Sequence, residues 1–423
     1  MPPELLSLIL AFASRRSTYW ERRQDPAPWT ASQVCRRWRA ITLSQPLFWV
    51  HIDLDMTGKE RETHTPFRLE AQLKRTGNLP LRINFGCRWK YERTEQELAL
   101  LAVLVQHCAR WEDVRLDGPV SWSSELACIR GNLPRLRKLR VLLWLSTQEE
   151  EPLVDVFELA PNLREASVNV EPHHHSSGTI RVPLPFSELQ QYVARGTWDS
   201  QLSALRSASN LVDCALDVVG ISTPLATLVV LPHLRRLSLR VSSLLACLDT
   251  PHTPQLEELY CSHDENRLSL LFAQRPPLQL QKLGLLFIAS ATDICDIVHS
   301  VPTITDLGVY VYANSFDDLS ASLVLRDEPT DIAPALRSLI IDCSESLGCF
   351  LFRHYDREML VDMVISRWRT GRLCSIHIPD KEGDYLVSGG ELLEGLKNEG
   401  LVFSSSSDRN ETVAEMVPLH LRF

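Results

Sequence analysis

The chain is predicted to be an α/β solenoid, a short all-α module followed by an irregular right-handed repeat array. Three observations predict it. A phrase of the form Leu-x-x-Leu-x-hydrophobic returns from residue 111 to residue 378. A proline stands just ahead of many of those phrases. Before residue 54 the apolar residues instead fall at helical spacing.

The first element opens at Pro2-Pro3-Glu4-Leu5-Leu6. The fixed φ of Pro3 suits the first turn of a helix, and Glu4 complements the positive end of its dipole. Leu5, Leu6, Ile9, Leu10 and Ala13 then form a continuous stripe. Residues 14–30 read as a spacer carrying Arg15, Arg16, Arg22 and Arg23. A second helix is expected from Ala31, Val34, Cys35, Trp38 and Ile41, with Thr30 or Ser32 as its cap. Pro46 starts a third short element with Leu47, Phe48 and Trp49, which leads into the strand-like Val50-His51-Ile52-Asp53-Leu54. Each large apolar side chain left wet forgoes ~1.5–3 kcal/mol, so these stripes need either a partner surface or the rest of the chain.

The second region is repetitive. The phrase reads Leu136-Leu139-Val141, Leu163-Ala166-Val168, Leu211-Cys214-Leu216, Leu234-Leu237-Leu239 and Leu256-Leu259-Cys261. It continues as Leu280-Leu283-Leu285, Ile304-Leu307-Val309, Leu336-Leu339-Ile341 and Leu373-Ile376-Ile378. Trp111-Val114-Leu116 is an earlier copy and Leu189-Tyr192-Ala194 a degenerate one. Most copies follow one another within roughly 20–29 residues, the period of leucine-rich repeats. The two long intervals carry insertions around Asp317–Glu328 and Cys343–Tyr355. Alternation places both apolar residues on one face of a strand. One such unit cannot bury its face, whereas stacked units share a continuous core. Pro134, Pro161, Pro232, Pro254, Pro302 and Pro334 precede the strands. The asparagine that leucine-rich repeats carry after the strand is absent, since Trp144, Glu171, Asp264 and Tyr312 stand at such positions.

The strand residues between the apolar ones are expected to form the exposed face of the sheet. The mid-strand row runs Arg115, Arg140, Ser167, Val193, Ala215, Ser238, Tyr260, Gly284, Gly308, Ile340 and His377. Beside it run Asp117, Leu142, Asn169, Arg195, Asp217, Arg240, Ser262, Leu286, Tyr310 and Asp342. Arg140, Arg240, Tyr260 and Tyr310 are of the types favoured at binding hot spots and are the candidate target-binding residues. At the C-terminal end, residues 389–400 read as a closing helix stopped by Gly400, and Leu401-Val402-Phe403 as a last strand. The predicted organisation is a helical domain over 1–53, a capped array over 54–403 and a poorly ordered tail over 404–423.

Composition narrows the function. A net charge of −9 argues against general nucleic-acid binding. No apolar run approaches the eighteen or so residues of a membrane span. The eleven cysteines include no C-x-x-C pair, and Cys108, Cys214, Cys261 and Cys343 sit within apolar strings as reduced core cysteines do. That pattern and the lack of positive charge before Leu5 argue for a cytoplasmic or nuclear protein over a secreted one. His173-His174-His175 and Glu149-Glu150-Glu151 read as polar loops, because three adjacent histidines cannot all face one metal. No phosphate-binding, dinucleotide, zinc-protease or serine-hydrolase motif is present. A binder that is no enzyme, with no cofactor and no metal, is expected.

The order Pro2 to Leu10, then Val34-Cys35-Arg36-Arg37-Trp38-Arg39, then Pro46-Leu47-Phe48-Trp49 resembles an F-box, in the version abundant among F-box-like proteins of fungi. The resemblance implies a substrate-recognition adaptor of a Skp–cullin–F-box ubiquitin ligase. It implies contact with a Skp-family linker, and thereby a cullin, through Pro2, Pro3, Glu4, Leu5, Leu6, Ile9, Leu10, Val34, Cys35, Trp38, Pro46, Leu47 and Trp49. The array would then hold a protein target. A leucine-rich-repeat scaffold without ligase linkage is the other reading.

Overall fold

The computed structural model describes residues 4–9, 27–56, 63–87, 94–144, 154–171, 180–219, 229–240, 254–262, 268, 272, 279–311, 315–326, 331–342, 357–378, 395–405, 413–418 and 421. The chain divides into two compact units, Met1–Ser200 and Gln201–Phe423.

In the first unit six strands run parallel in chain order: β1 (His51–Asp55), β2 (Leu81–Gly86), β3 (Trp111–Pro119), β4 (Lys138–Trp144), β5 (Glu165–Glu171) and β6 (Gln191–Thr197). In the second, eight more do the same: β7 (Asp213–Val219), β8 (Arg236–Leu239), β9 (Glu258–Cys261), β10 (Lys282–Ala289), β11 (Asp306–Val311), β12 (Ser338–Asp342), β13 (Ser375–Ile378) and β14 (Val402–Ser405). Strictly sequential parallel pairing, one strand per repeat, is solenoid topology. Every phrase found in the sequence supplies one of these strands.

The register explains the core. Leu237, Leu259, Leu283, Leu307, Leu339 and Ile376 stand opposite one another across β8 to β13, and all are buried. Each unit of the phrase therefore stacks its apolar pair on the next. The prolines do their work ahead of the strands. Pro134, Pro161, Pro232, Pro254, Pro302 and Pro334 each open a two-residue turn, where a φ fixed near −65° is already in place.

One backbone device joins successive repeats. The carbonyl oxygen of Arg137 accepts from the amides of both Arg164 and Glu165, at 3.0 and 3.1 Å. Arg164, Val212, Arg235, Glu257, Gln281, Thr305 and Arg337 each accept two consecutive amides of the following repeat in the same way. A carbonyl has two lone pairs, and here both are used. This bonding needs no side chain.

The far side of the core is covered unevenly. Full helices cover some repeats, such as Glu95–Val105, whose Thr94 and Glu97 form a capping box, and Ala291–His299, capped by Ser290. Others show, among the described residues, a 3-10 turn, Asp155–Phe157 or Phe186–Glu188. The insertion around Asp317–Glu328 contains the helix Phe316–Ser322. The one around Cys343–Tyr355 lies outside the described residues. It is followed by the helix Arg357–Arg369, whose Arg367 is buried. That guanidinium donates from Nε to Leu323 O at 2.6 Å, from Nη1 to Ala333 O at 2.8 Å and from Nη2 to Ile332 O at 2.7 Å. Burial pushes its pKa down to about 10, against the pull of Asp331. At the other end, Gly400 stops the expected closing helix at φ +110°, and the turns of that helix before residue 395 lie outside the described residues.

Three features differ from the sequence reading. The run from Ala31 to Ile41 is not one helix but two, Ala27–Val34 and Arg36–Ser44, broken at the extended Cys35. The Cys35 sulfur accepts from Trp38 N and so caps the second helix, an arrangement that spacing alone does not reveal. Two repeats precede the first expected one, because Trp49-Ile52-Leu54 already fits the phrase and feeds β1, and Leu81-Ile83-Phe85 forms β2. Last, part of the stretch 404–423 is structured: Val413–Met416 is helical, and Val413, Val417 and Leu421 are buried.

Among the described residues eight cysteines stand outside any disulfide, and Cys343 lies outside the described residues. Burial, with the charge of Asp213, pushes the Cys214 thiol far up. Thiol labelling of the folded protein near pH 8 should therefore modify Cys35, Cys128 and Cys374, which are exposed, and spare Cys87, Cys214 and Cys261 until denaturant is added. Peptide mapping of the labelled sites checks this, and early labelling of Cys214 contradicts the burial of β7.

Candidate protein-interaction surfaces

The N-terminal helices build a small core and leave much of their apolar surface outside it. Leu6, Ala31, Phe48 and Trp49 are buried together, with Trp29, Trp38 and Ile41 packed against them. Leu5, Ile9 and Val34 face outward, and Leu8 and Leu47 are 66% and 65% exposed. Leu8 and Leu47 line an open groove of about 670 Å³ with Glu4, Ser7, Val50 and Pro80. Exposed apolar residues gathered at one place are the usual mark of a docking surface.

The module is fastened to the first repeat by polar contacts. Gln72, on the helix Pro66–Arg75, donates through Nε2 to Trp49 O at 3.0 Å and to His51 O at 2.7 Å. Its Oε1 accepts from Trp29 Nε1 at 3.3 Å. Arg75 sits over the rings of Trp29 and Trp49, at 4.8 and 4.3 Å from their centroids. Its buried Nη1 has no hydrogen-bond partner, and the ring faces meet the charge instead.

The expected linker-contact residues thus separate by face. Glu4, Leu5, Ile9, Val34, Cys35, Pro46 and Leu47 are exposed, Trp38 is half-buried, and Leu6 and Trp49 belong to the inner core. Pro2, Pro3 and Leu10 lie outside the described residues, as do residues 14–26 of the spacer. Leu8 and Leu43 are outward-facing residues that the sequence reading did not single out. Trp49 has a role it did not foresee, because it anchors β1 as the first member of the repeat phrase.

The outward face of the sheet differs between the units. In the first unit one register line runs Asp53, Asn84, Arg115, Arg140, Ser167 and Val193. Its first five members are half-buried or exposed. Asn84 donates to Asp53 at 2.6 Å, and Arg115 pairs with Asp117 at 2.8 Å. In the second unit the corresponding row was expected to be open as well, but most of it is covered. Ala215, Ser238, Tyr260, Gly284, Gly308 and His377 are buried, and only Ile340 is partly exposed.

The four candidate target-binding residues are accordingly placed differently. Arg140 is exposed. Arg240 reaches out over β7 and pairs with the buried Asp217 at 2.9 Å. Tyr310 is half-buried. Tyr260 is 1% exposed, and its hydroxyl donates to Glu258 at 2.9 Å. Burial pushes that hydroxyl's pKa well up, and the Glu258 charge adds to it, so the donor stays protonated.

Among the described residues no cluster of three or more histidine, cysteine or acidic side chains could hold a metal. His173–His175 and Glu149–Glu151 lie outside them. No described helix is long and apolar enough to cross a membrane.

No family model matches the chain, and no curated protein matches it. Among solved structures it is similar to an internalin from Listeria monocytogenes, with 10% identity and a TM-score of 0.35 over 74% of this chain and 88% of that one.

The fastening of the helical module can be tested directly. Gln72→Ala should destabilise the first unit by about 1–3 kcal/mol, since it strips the partner from two carbonyls. Arg75→Met should cost about 1 kcal/mol through the lost ring contacts. Urea unfolding followed by tryptophan fluorescence reads both, and a neutral Gln72→Ala would show that the helices are not held this way.

Proposed function

We propose that this protein is a non-catalytic scaffold for protein–protein interaction, built on leucine-rich-repeat-like strands that present side chains in register. The observation that carries the reading is the open polar line of the first unit, Asp53-Asn84-Arg115-Arg140-Ser167, on five adjacent parallel strands. A line of this kind offers charge and hydrogen-bonding groups over an extended surface, as partner recognition needs. Affinity capture with the full chain and with Arg140→Glu tests it. The variant should lose reproducible partners at least tenfold while melting at the same temperature. Retention of every partner counts against this face.

A second, finer reading is favoured by the outward apolar residues of the N-terminal module. In it the chain is the target-recognition subunit of a Skp–cullin–F-box ubiquitin ligase, docking on a Skp-family linker. What supports it is the motif order together with the exposure of Leu5, Ile9, Val34 and Leu47. The chain does no chemistry here. It holds a target near the ubiquitin-carrying enzyme and so raises effective concentration.

A pull-down with a purified Skp-family linker separates the two readings. Leu5→Asp with Leu47→Asp should reduce capture by tenfold or more without unfolding the protein, because both side chains already face solvent. Leu6→Asp is a poor probe by comparison, since Leu6 is buried and its loss disrupts the module itself. If the unaltered chain captures no linker, the ligase reading is dropped and the scaffold reading stands alone.

A further inference from the structure

The covered face of the second unit is covered, at its centre, by the chain's own C-terminal segment. Gly284 on β10 and Gly308 on β11 stand opposite each other in register, so two neighbouring strands present no side chain there. On one side the ring of Tyr260 leans across Gly284, where a Cβ would come within 2.7 Å of Tyr260 Cδ1. On the other side Ile340 of β12 stands opposite Gly308. Into this trough comes the helix Val413–Met416. A Cβ on Gly308 would overlap the sulfur of Met416 and lie 3.1 Å from Val413 Cγ1. Val413 and Leu421 are fully buried, and Val417 nearly so.

Two features separate this contact from an ordinary end cap. The helix packs on β10, β11 and β12, whereas the last strand of the sheet is β14. A helix of four residues also has no stability of its own in water, since nucleation costs more than one turn returns. It is helical because the trough holds it, and the trough selects a short helix with apolar residues on one face.

We propose that the outward face of β10–β12 is a docking groove for a short apolar helix of a partner protein, and that the helix Val413–Met416 occupies it in cis. The partner's helix carries the same Val-x-x-Met-Val pattern of apolar positions and binds by displacing the chain's own segment. The proposal rests on the scaffold reading above. Tethering places the cis segment at an effective concentration on the order of millimolar. The apparent affinity for a partner therefore falls by the fraction of chains whose groove is open.

The test uses a fluorescent synthetic peptide of residues 411–423 and the full-length chain. Val413→Asp with Val417→Asp, made in the full chain, should release the cis segment and leave the groove intact. The peptide should then bind the double variant at least tenfold more tightly than the unaltered chain. Adding Gly308→Val to the double variant should fill the trough and return binding to background. Equal binding to the unaltered and double-variant chains, or none to a folded double variant, overturns the proposal. Should the double variant not fold, hydrogen exchange on the unaltered chain decides. Excess unlabelled peptide must speed exchange of the chain's own amides at 413–417, and unchanged exchange overturns the proposal equally. Failure here with a persisting Arg140→Glu effect sinks only this groove, whereas loss of both sinks the scaffold reading.

Discussion

A carbonyl that accepts two amides of the next repeat is the constraint on which the array depends. It recurs ahead of strand after strand, at Arg137 and Arg164 in the first unit and from Val212 to Arg337 in the second. Because both partners are backbone, the identity of the residue is free to vary, and arginine, valine, glutamate, glutamine and threonine all serve. What cannot vary is the geometry, which fixes where each strand starts relative to its neighbour. With the start fixed, the apolar pair of one repeat meets the apolar pair of the next.

Register also decides what the other face displays. Whatever stands between the two apolar residues of a phrase is carried into line with its counterparts on adjacent strands. In the first unit the line is polar, from Asp53 to Ser167, and it stays solvated. In the second it contains alanine, serine, tyrosine, histidine and two glycines, and most of it is buried. One architectural rule thus yields two surfaces of different chemistry, one built for charges and the other for apolar side chains.

The strands were legible in the sequence because they depend on local, repeated spacing. Leu283, Leu285 and their equivalents announce themselves by alternation, and the six prolines mark the turns before them. β1 and β2 were harder to see, since Trp49 reads equally well as the end of a helical motif and Pro80 stands where the phrase has leucine. The break at Cys35 leaves no mark in the sequence, because a sulfur cap has no spacing signature. The cover over Gly308 was out of reach for another reason. Met416 and Gly308 are far apart in the chain, and neither lies in a pattern that refers to the other. For the helical module, the apolar stripes were visible but their orientation was not. Only packing shows that Leu6 turns inward while Leu5 and Ile9 turn outward.

Arg367 shows how the irregular part of the array is held to the regular part. Its three donors reach carbonyls on both sides of the segment between Arg326 and Asp331, with Leu323 before it and Ile332 and Ala333 after it. A lysine, with one nitrogen, cannot span those three acceptors. The guanidinium therefore works as a clasp between Leu323 and the pair Ile332 and Ala333, beside the bonds that Arg326 N donates to the Asp331 carboxylate. A protein cut once between Arg326 and Asp331 would keep its two ends side by side, joined through side chains instead of the peptide bond.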